Sequence, residues 1–151
     1  MKYLILFLVG CLFSTSLYAE CPVVSHEAEE LVSEHVEKVK GSEYCKYRKS
    51  LKGQGVELVI YGVEGPCFHN GGQSGSCGNH YFFSMVGVVN GIKYNPILVG
   101  GKGLFHPKNI FYNEGLITVK GFSYAKKDPA CCPSIGSQNQ YEIGVSGFEK
   151  I

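Results

Sequence analysis

The sequence predicts an α+β domain: one N-terminal amphipathic helix packed on an antiparallel sheet of about five or six short strands, stapled by disulfides. Three observations carry this expectation. A single stripe of apolar residues at helical spacing precedes a long series of β-type runs. Turn dipeptides separate those runs. Six cysteines remain once an N-terminal export signal is set aside.

Residues 1–19 have the three parts of a secretory signal. Lys2 supplies the positive start, Tyr3 to Phe13 is an apolar run, and Ser14 to Ala19 is more polar and ends on a small residue. A membrane-spanning helix needs about 20 apolar residues, so the run is too short to remain as an anchor. Cleavage after Ala19 leaves residues 20–151 as a single exported domain, periplasmic or secreted, with no transmembrane anchor in the mature chain. A buried N-terminal element is the plain alternative. Leu8-Val9-Gly10-Cys11 also resembles a lipobox, and lipid on Cys11 would tether the chain to a membrane. Apolar sequence continues past Cys11, which favours simple cleavage.

The helix is expected over residues 25–40. Ser25 is a suitable N-cap, and Glu27, Glu29 and Glu30 favour the positive end of the helix dipole. Ala28, Leu31, Val32, His35, Val36 and Val39 form one apolar stripe, with His35 read as a packed, hydrogen-bonded core histidine. Lys38 and Lys40 suit the last turn, and Gly41 can end it.

Strands are expected after the helix. Val56 to Gly62 is apolar and β-branched. Tyr81 to Val89 is almost continuously apolar, which fits a strand covered on both faces. Asn90-Gly91 is a two-residue hairpin turn, because both positions tolerate positive φ. Ile92 to Val99 returns, and Pro96 marks an edge or a break. Asn109 to Tyr112 and Leu116 to Tyr124 form a second hairpin around Asn113-Glu114-Gly115, and Tyr141 to Phe148 is the last strand.

Charge narrows the partners. The chain has 14 basic and 13 acidic side chains. Lys2 is the only charged residue in the signal, so the mature chain is formally neutral. A chain that lives on phosphate contacts along a nucleic acid carries a basic excess. Nucleic acid and electrostatic membrane binding are therefore not expected, and neither is a cofactor.

Cys21, Cys45, Cys67, Cys77, Cys131 and Cys132 read as three structural disulfides in an oxidising compartment. Cys67 and Cys77 flank a glycine-rich loop and bridge easily. Cys21 and Cys45 flank the helix, and only nearly extended flanks would let them meet. The expected arrangement ties each to one member of Cys131-Cys132, because adjacent residues in extended chain point to opposite faces. A bond between Cys131 and Cys132 would instead point to an easily reduced switch.

Other chemistry is weakly signalled. Cys67, His69, Cys77 and His80 offer a zinc donor set at irregular spacing. Gly72-Gln73-Ser74-Gly75-Ser76 misses the nucleophile elbow of a hydrolase. The long loop from Gly65 to Asn79 is the main candidate for function, since long connections in compact domains are usually functional or disordered and a disulfide argues for order; a rigid loop that only joins two strands is the plain alternative. Phe68, His69, Asn70, Gln73, Ser74 and His80 offer an aromatic anchor and hydrogen-bonding groups there.

Gly72-Gln73-Ser74-Gly75-Ser76 leading to Tyr81-Phe82-Phe83, then Gly115 to Val119, then Asp128-Pro129-Ala130-Cys131-Cys132-Pro133-Ser134 and the Tyr141 run resemble a group of small exported bacterial proteins, themselves uncharacterised. The group shares a Gly/Ser-rich turn, an aromatic strand and a late DP-x-CCP-[ST] element. The resemblance covers residues 55–148 and implies export and a β-rich fold, without an activity. Cys67 and Cys77 depart from the pattern. The function expected is that of a non-enzymatic extracytoplasmic binding protein, of inhibitor or immunity type, acting on another envelope or secreted protein. The alternative is a thiol-redox or zinc protein using Cys131-Cys132 or Cys67/His69/Cys77/His80, with a small hydrolase behind it.

Overall fold

The computed structural model describes residues 21–65, 81–129 and 131–151. Residues 1–19, expected to be an export signal, and Phe68, His69, Asn70, Gln73, Ser74, His80, Cys67 and Cys77 lie outside the described residues. One helix, α1 (His26–Lys38), precedes eight strands: β1 (Ser42–Gly53), β2 (Val56–Glu64), β3 (Tyr81–Val89), β4 (Ile92–Gly101), β5 (Phe105–Asn113), β6 (Leu116–Ser123), β7 (Ile135–Ile143) and β8 (Phe148–Lys150). They form two antiparallel sheets, β1-β2-β3-β4 and β5-β6-β7-β8, each in chain order. The fold is helix plus antiparallel sheet, but mostly β. Two four-stranded sheets replace the single sheet of five or six strands expected.

Layering follows from side-chain alternation. Leu58 and Ile60 of β2, with Phe83 and Met85 of β3, meet Ile110, Ile117, Val119, Tyr141 and Phe148 of the second sheet in one buried cluster. Val59, Tyr61 and Val63, on the other face of β2, pack with Val86 against Ala28, Leu31 and Val32 of α1. Successive strand residues point to opposite faces, so β2 is buried along its whole length between α1 and the second sheet. The same double burial holds for the centre of β3, as its continuous apolar run predicts.

Ser25 caps α1, its hydroxyl accepting from the Ala28 N–H at 3.2 Å. The Ser25 N–H donates to Glu57 Oε1 at 2.9 Å, which ties the start of the helix to β2. The left-handed residue after the helix is Lys40 (φ 51°), not Gly41. The Gly41 N–H donates to Val36 O at 3.0 Å and that of Lys40 to Glu37 O at 2.9 Å, the paired bonds of a Schellman ending. Gly41 is needed for space, because a Cβ there would collide with Val63 and the Glu64 carbonyl.

Asn90-Gly91 forms the expected turn, with φ of 50° and 80°. Gln54-Gly55 and Glu114-Gly115 make the same two-residue pattern. β4 is an outer strand, and its pairing with β3 slips opposite Asn95-Pro96, as the proline foretold.

The cysteine pairing expected from sequence is corrected. Cys21 is bonded to Cys45, with Cα atoms 4.5 Å apart, and Cys131 is bonded to Cys132. The 13-residue helix is about 20 Å long. The chain from Cys21 to Ser25 runs back along it in non-helical conformation, and the first residues of β1 return from its far end as strand. At about 3.3 Å per residue the two flanks together cover the helix. The near-extended flanks that the sequence argument set aside are the ones adopted, and the vicinal cysteines are left to each other.

Candidate functional site: the bulge in the first strand

β1 is the element that positions a site. Tyr44 stands opposite Gly62 and Lys49 opposite Ile60, so Cys45, Lys46, Tyr47 and Arg48 together face only Tyr61. Such a bulge breaks the ladder and re-aims side chains. Each of the four goes somewhere different. Cys45 is bonded to Cys21. Arg48 turns toward α1, Tyr47 turns into the sandwich, and Lys46 stays at the surface.

Arg48 is buried, its side chain 2% exposed. Nη1 and Nη2 donate to Glu29 of α1 at 2.5 and 3.0 Å, and Nε and Nη2 donate to Glu43 at 2.7 and 2.6 Å. Nη1 also reaches the Pro22 carbonyl at 3.4 Å. The hydrogen bonds from Arg48 hold the Glu29 carboxyl below its ordinary range, and those accepted by Glu43 first, then by Glu29, push the pKa of the guanidinium up. This clamp and the Cys21–Cys45 bond fix the back of the bulge.

Tyr47 crosses β2 at Gly62. A Cβ at Gly62 would sit 3.0 Å from Tyr47 Cβ and Cδ2 and 3.2 Å from Phe83 Cε1, so the ring passes only because the position is glycine. Tyr47 stacks on Tyr81, centroids 6.1 Å apart, and meets Phe83 and His106 edge-on at 5.4 and 5.7 Å. His106 lies 4.9 Å from the Phe83 ring. The Lys46 ammonium sits 4.8 Å above the Tyr47 centroid, a cation–π contact.

These groups line a cavity of about 250 Å³ between β1 and β5, formed by Lys46, Tyr47, Lys49, His106, Pro107 and Lys108. His106 is 9% exposed. Burial, and then the charge of Lys108, push its pKa below the ordinary histidine value. The imidazole is therefore neutral near pH 7 and serves as a donor or acceptor. None of the three lysines forms an ion pair among the described residues, whereas Arg48, Lys52 and Lys93 all do.

Among the described residues two other cavities are larger, and each mixes acidic with basic or imidazole side chains, unlike the one lined by three lysines. One, of about 400 Å³ at the start of α1, is lined by Glu57, which holds Ser25 and Lys52. The other, of about 390 Å³ between α1 and β4, is lined by His35. His35 Nδ1 shares a 2.7 Å hydrogen bond with the Tyr61 hydroxyl, which makes it the bonded stripe histidine expected from the sequence.

The vicinal disulfide sits on the connection from β6 to β7. Asp128 braces that connection: Oδ2 accepts from the N–H groups of Ala125 and Ser134, both at 2.8 Å, and Oδ1 accepts from Ser134 Oγ at 2.9 Å. These bonds, that from Ala125 first, keep the Asp128 carboxyl below its ordinary range. The DP-x-CCP-S element is thus a self-bonded turn presenting Cys131 and Cys132, both exposed.

The loop residues singled out from the sequence lie outside the described residues, as does the Cys67/His69/Cys77/His80 donor set. Tyr81, which directly follows that segment, is one wall of the bulge's ring cluster. Among the described residues no group of three His, Cys, Asp or Glu side chains is placed to hold a metal ion. Sequence reasoning missed Lys46, Tyr47, Lys49, His106 and Lys108. The available signal was a cysteine three positions before the chain's only arginine in a largely polar segment. No protein-family model matches the chain, and no curated protein or solved structure is significantly similar to it.

Proposed function

We propose that the mature chain is a non-enzymatic extracytoplasmic binding protein, of inhibitor or immunity type, acting on another envelope or secreted protein. The observation that carries this reading is the β1 bulge. It presents lysines without an ion pair among the described residues, and a tyrosine–histidine wall, on a backbone fixed by a disulfide and a buried arginine clamp. Recognition gains when groups are held in place before the partner arrives, because less ordering entropy is lost on binding. The oxidising compartment implied by the Cys21–Cys45 bond supports export, as does the signal-like start of the chain. Among the described residues, no helix is long and apolar enough to cross a membrane.

In-cell photo-crosslinking tests the reading. A photoreactive residue at position 46 yields a discrete adduct with one extracytoplasmic protein, while the same residue at position 114, in the β5–β6 turn, yields none. Equal adducts from both positions, or none from position 46, would sink the proposal.

A second reading has its own observation. Cys131 and Cys132 are bonded to each other and exposed, the outcome that the sequence attaches to thiol chemistry. Under this reading the pair is reduced by an incoming dithiol, which becomes a disulfide as Cys131 and Cys132 become thiols. Selective reduction of this pair under mild dithiol, with a change in partner capture, would favour it over a purely structural turn.

A further inference from the structure

We infer that the cavity between β1 and β5 takes a tetrahedral oxyanion, the phosphate or sulfate group of a ligand. The inference rests on the bulge being a binding surface and names the group that it binds. Charge is the first argument. Lys46, Lys49 and Lys108 converge on one cavity, no carboxylate lines it, and none of the three is neutralised by an ion pair among the described residues. In a formally neutral domain, this leaves a local excess of positive charge without an anionic partner among the described residues.

Size is the second argument. Pockets for whole drug-sized ligands span about 300–1,000 Å³, and this one is about 250 Å³. It holds one charged group, with the remainder of the ligand outside. Donor chemistry is the third. Arginine and lysine both bind phosphate and sulfate groups, arginine through a planar fork and lysine as a point charge. Arg48, the only arginine of the chain, is turned away and held by Glu29 and Glu43. The side-chain donors among the lining residues are three ammonium groups, the His106 imidazole and the Tyr47 hydroxyl.

The walls strengthen the attraction. The ring of Tyr47 and the nine-tenths-buried His106 exclude water from one side of the cavity, and charges interact more strongly where the local dielectric is low. The Lys46 ammonium sits over the ring of Tyr47, itself one of the lining residues.

The test is an NMR titration of the full oxidised chain as exported, with sodium sulfate and sodium phosphate at constant ionic strength against sodium chloride. The expected result is a saturable shift of the His106 ring and Lys108 signals with both oxyanions and not with chloride. In Lys49→Gln/Lys108→Gln, whose other signals stay in place, affinity falls by about tenfold or more. Shifts no larger than those from chloride, or shifts that persist in the double variant, overturn the inference. Titration with dextran sulfate against unsulfated dextran distinguishes the sources. Tighter binding than free sulfate identifies a polymer-borne group, and equal binding identifies a free ion. Oxyanion binding without a crosslink from position 46 would remove the protein partner and keep this site. A crosslink without oxyanion binding would do the reverse.

Discussion

Arg48 and Glu29 join β1 to α1 across a buried contact, and the consequences of removing either charge are unequal. Glu29 is half-exposed and can return to water, but Arg48 cannot. Removing one partner of a buried pair leaves an uncompensated charge and costs about 3–5 kcal/mol. Arg48→Ala strands Glu43, which is only 14% exposed. Chemical denaturation is expected to show a loss near that range for Arg48→Ala, and a smaller loss for Glu29→Gln. His35 gives a pH signature. Burial, and then Lys38, lower its pKa in the folded chain. Below about pH 6.5 the unfolded chain takes up a proton that the folded chain resists. Stability is therefore full above pH 6.5 and is lost as pH falls toward the depressed folded value. His106 acts in the same direction. His35→Gln should flatten the slope of unfolding free energy between pH 7 and 5. An unchanged slope would remove His35 from this account. Glu29 and Asp128 act in a lower window, losing their contribution as pH falls below the ordinary carboxylate range.

Elements differed in how far the sequence revealed them. The helix and the hairpins were legible because their signals are local: a capping serine, a 3.6-residue stripe, and turn pairs that tolerate positive φ. β1 was not legible. Its sequence, SEYCKYRKSLKG, has charged residues on both faces and no sustained alternation. The bulge explains why, since the four residues Cys45 to Arg48 leave the strand's two-residue period. What makes β1 a strand is its pairing with β2, a tertiary effect that no window of its own residues contains. The candidate site sits on that bulge and was hidden for the same reason. The two described disulfides differ as elements too. Cys21–Cys45 closes a loop with a sequence separation of 24, worth about 3.5 kcal/mol in the chain-entropy model. Cys131–Cys132 joins neighbours and closes no loop of consequence. Cys21→Ala/Cys45→Ala should lose stability on that scale, while Cys131→Ala/Cys132→Ala should lose little. Equal losses in denaturant titrations would contradict this division of roles.

At the scale of the whole molecule, three layers stack in the order helix, first sheet, second sheet. Double coverage of β3 was readable in its unbroken apolar run. The second sheet was not, because its strands look like those of the first, and only long-range packing assigns them to separate layers. The tight turns Gln54-Gly55 and Asn90-Gly91 lie side by side at one end of the first sheet. The opposite ends of β1, β2 and β3 bear the bulge, Glu64 and Tyr81.

All of this depends on the chain being oxidised outside the cytosol with its local pairing. The direct measurement is a disulfide map of the exported protein, with free thiols blocked at once and the pairs read by mass spectrometry. The account predicts a chain beginning at Glu20, with Cys21 joined to Cys45 and Cys131 joined to Cys132. Peptides linking Cys21 or Cys45 to either vicinal cysteine, or free thiols at these four positions, would contradict it.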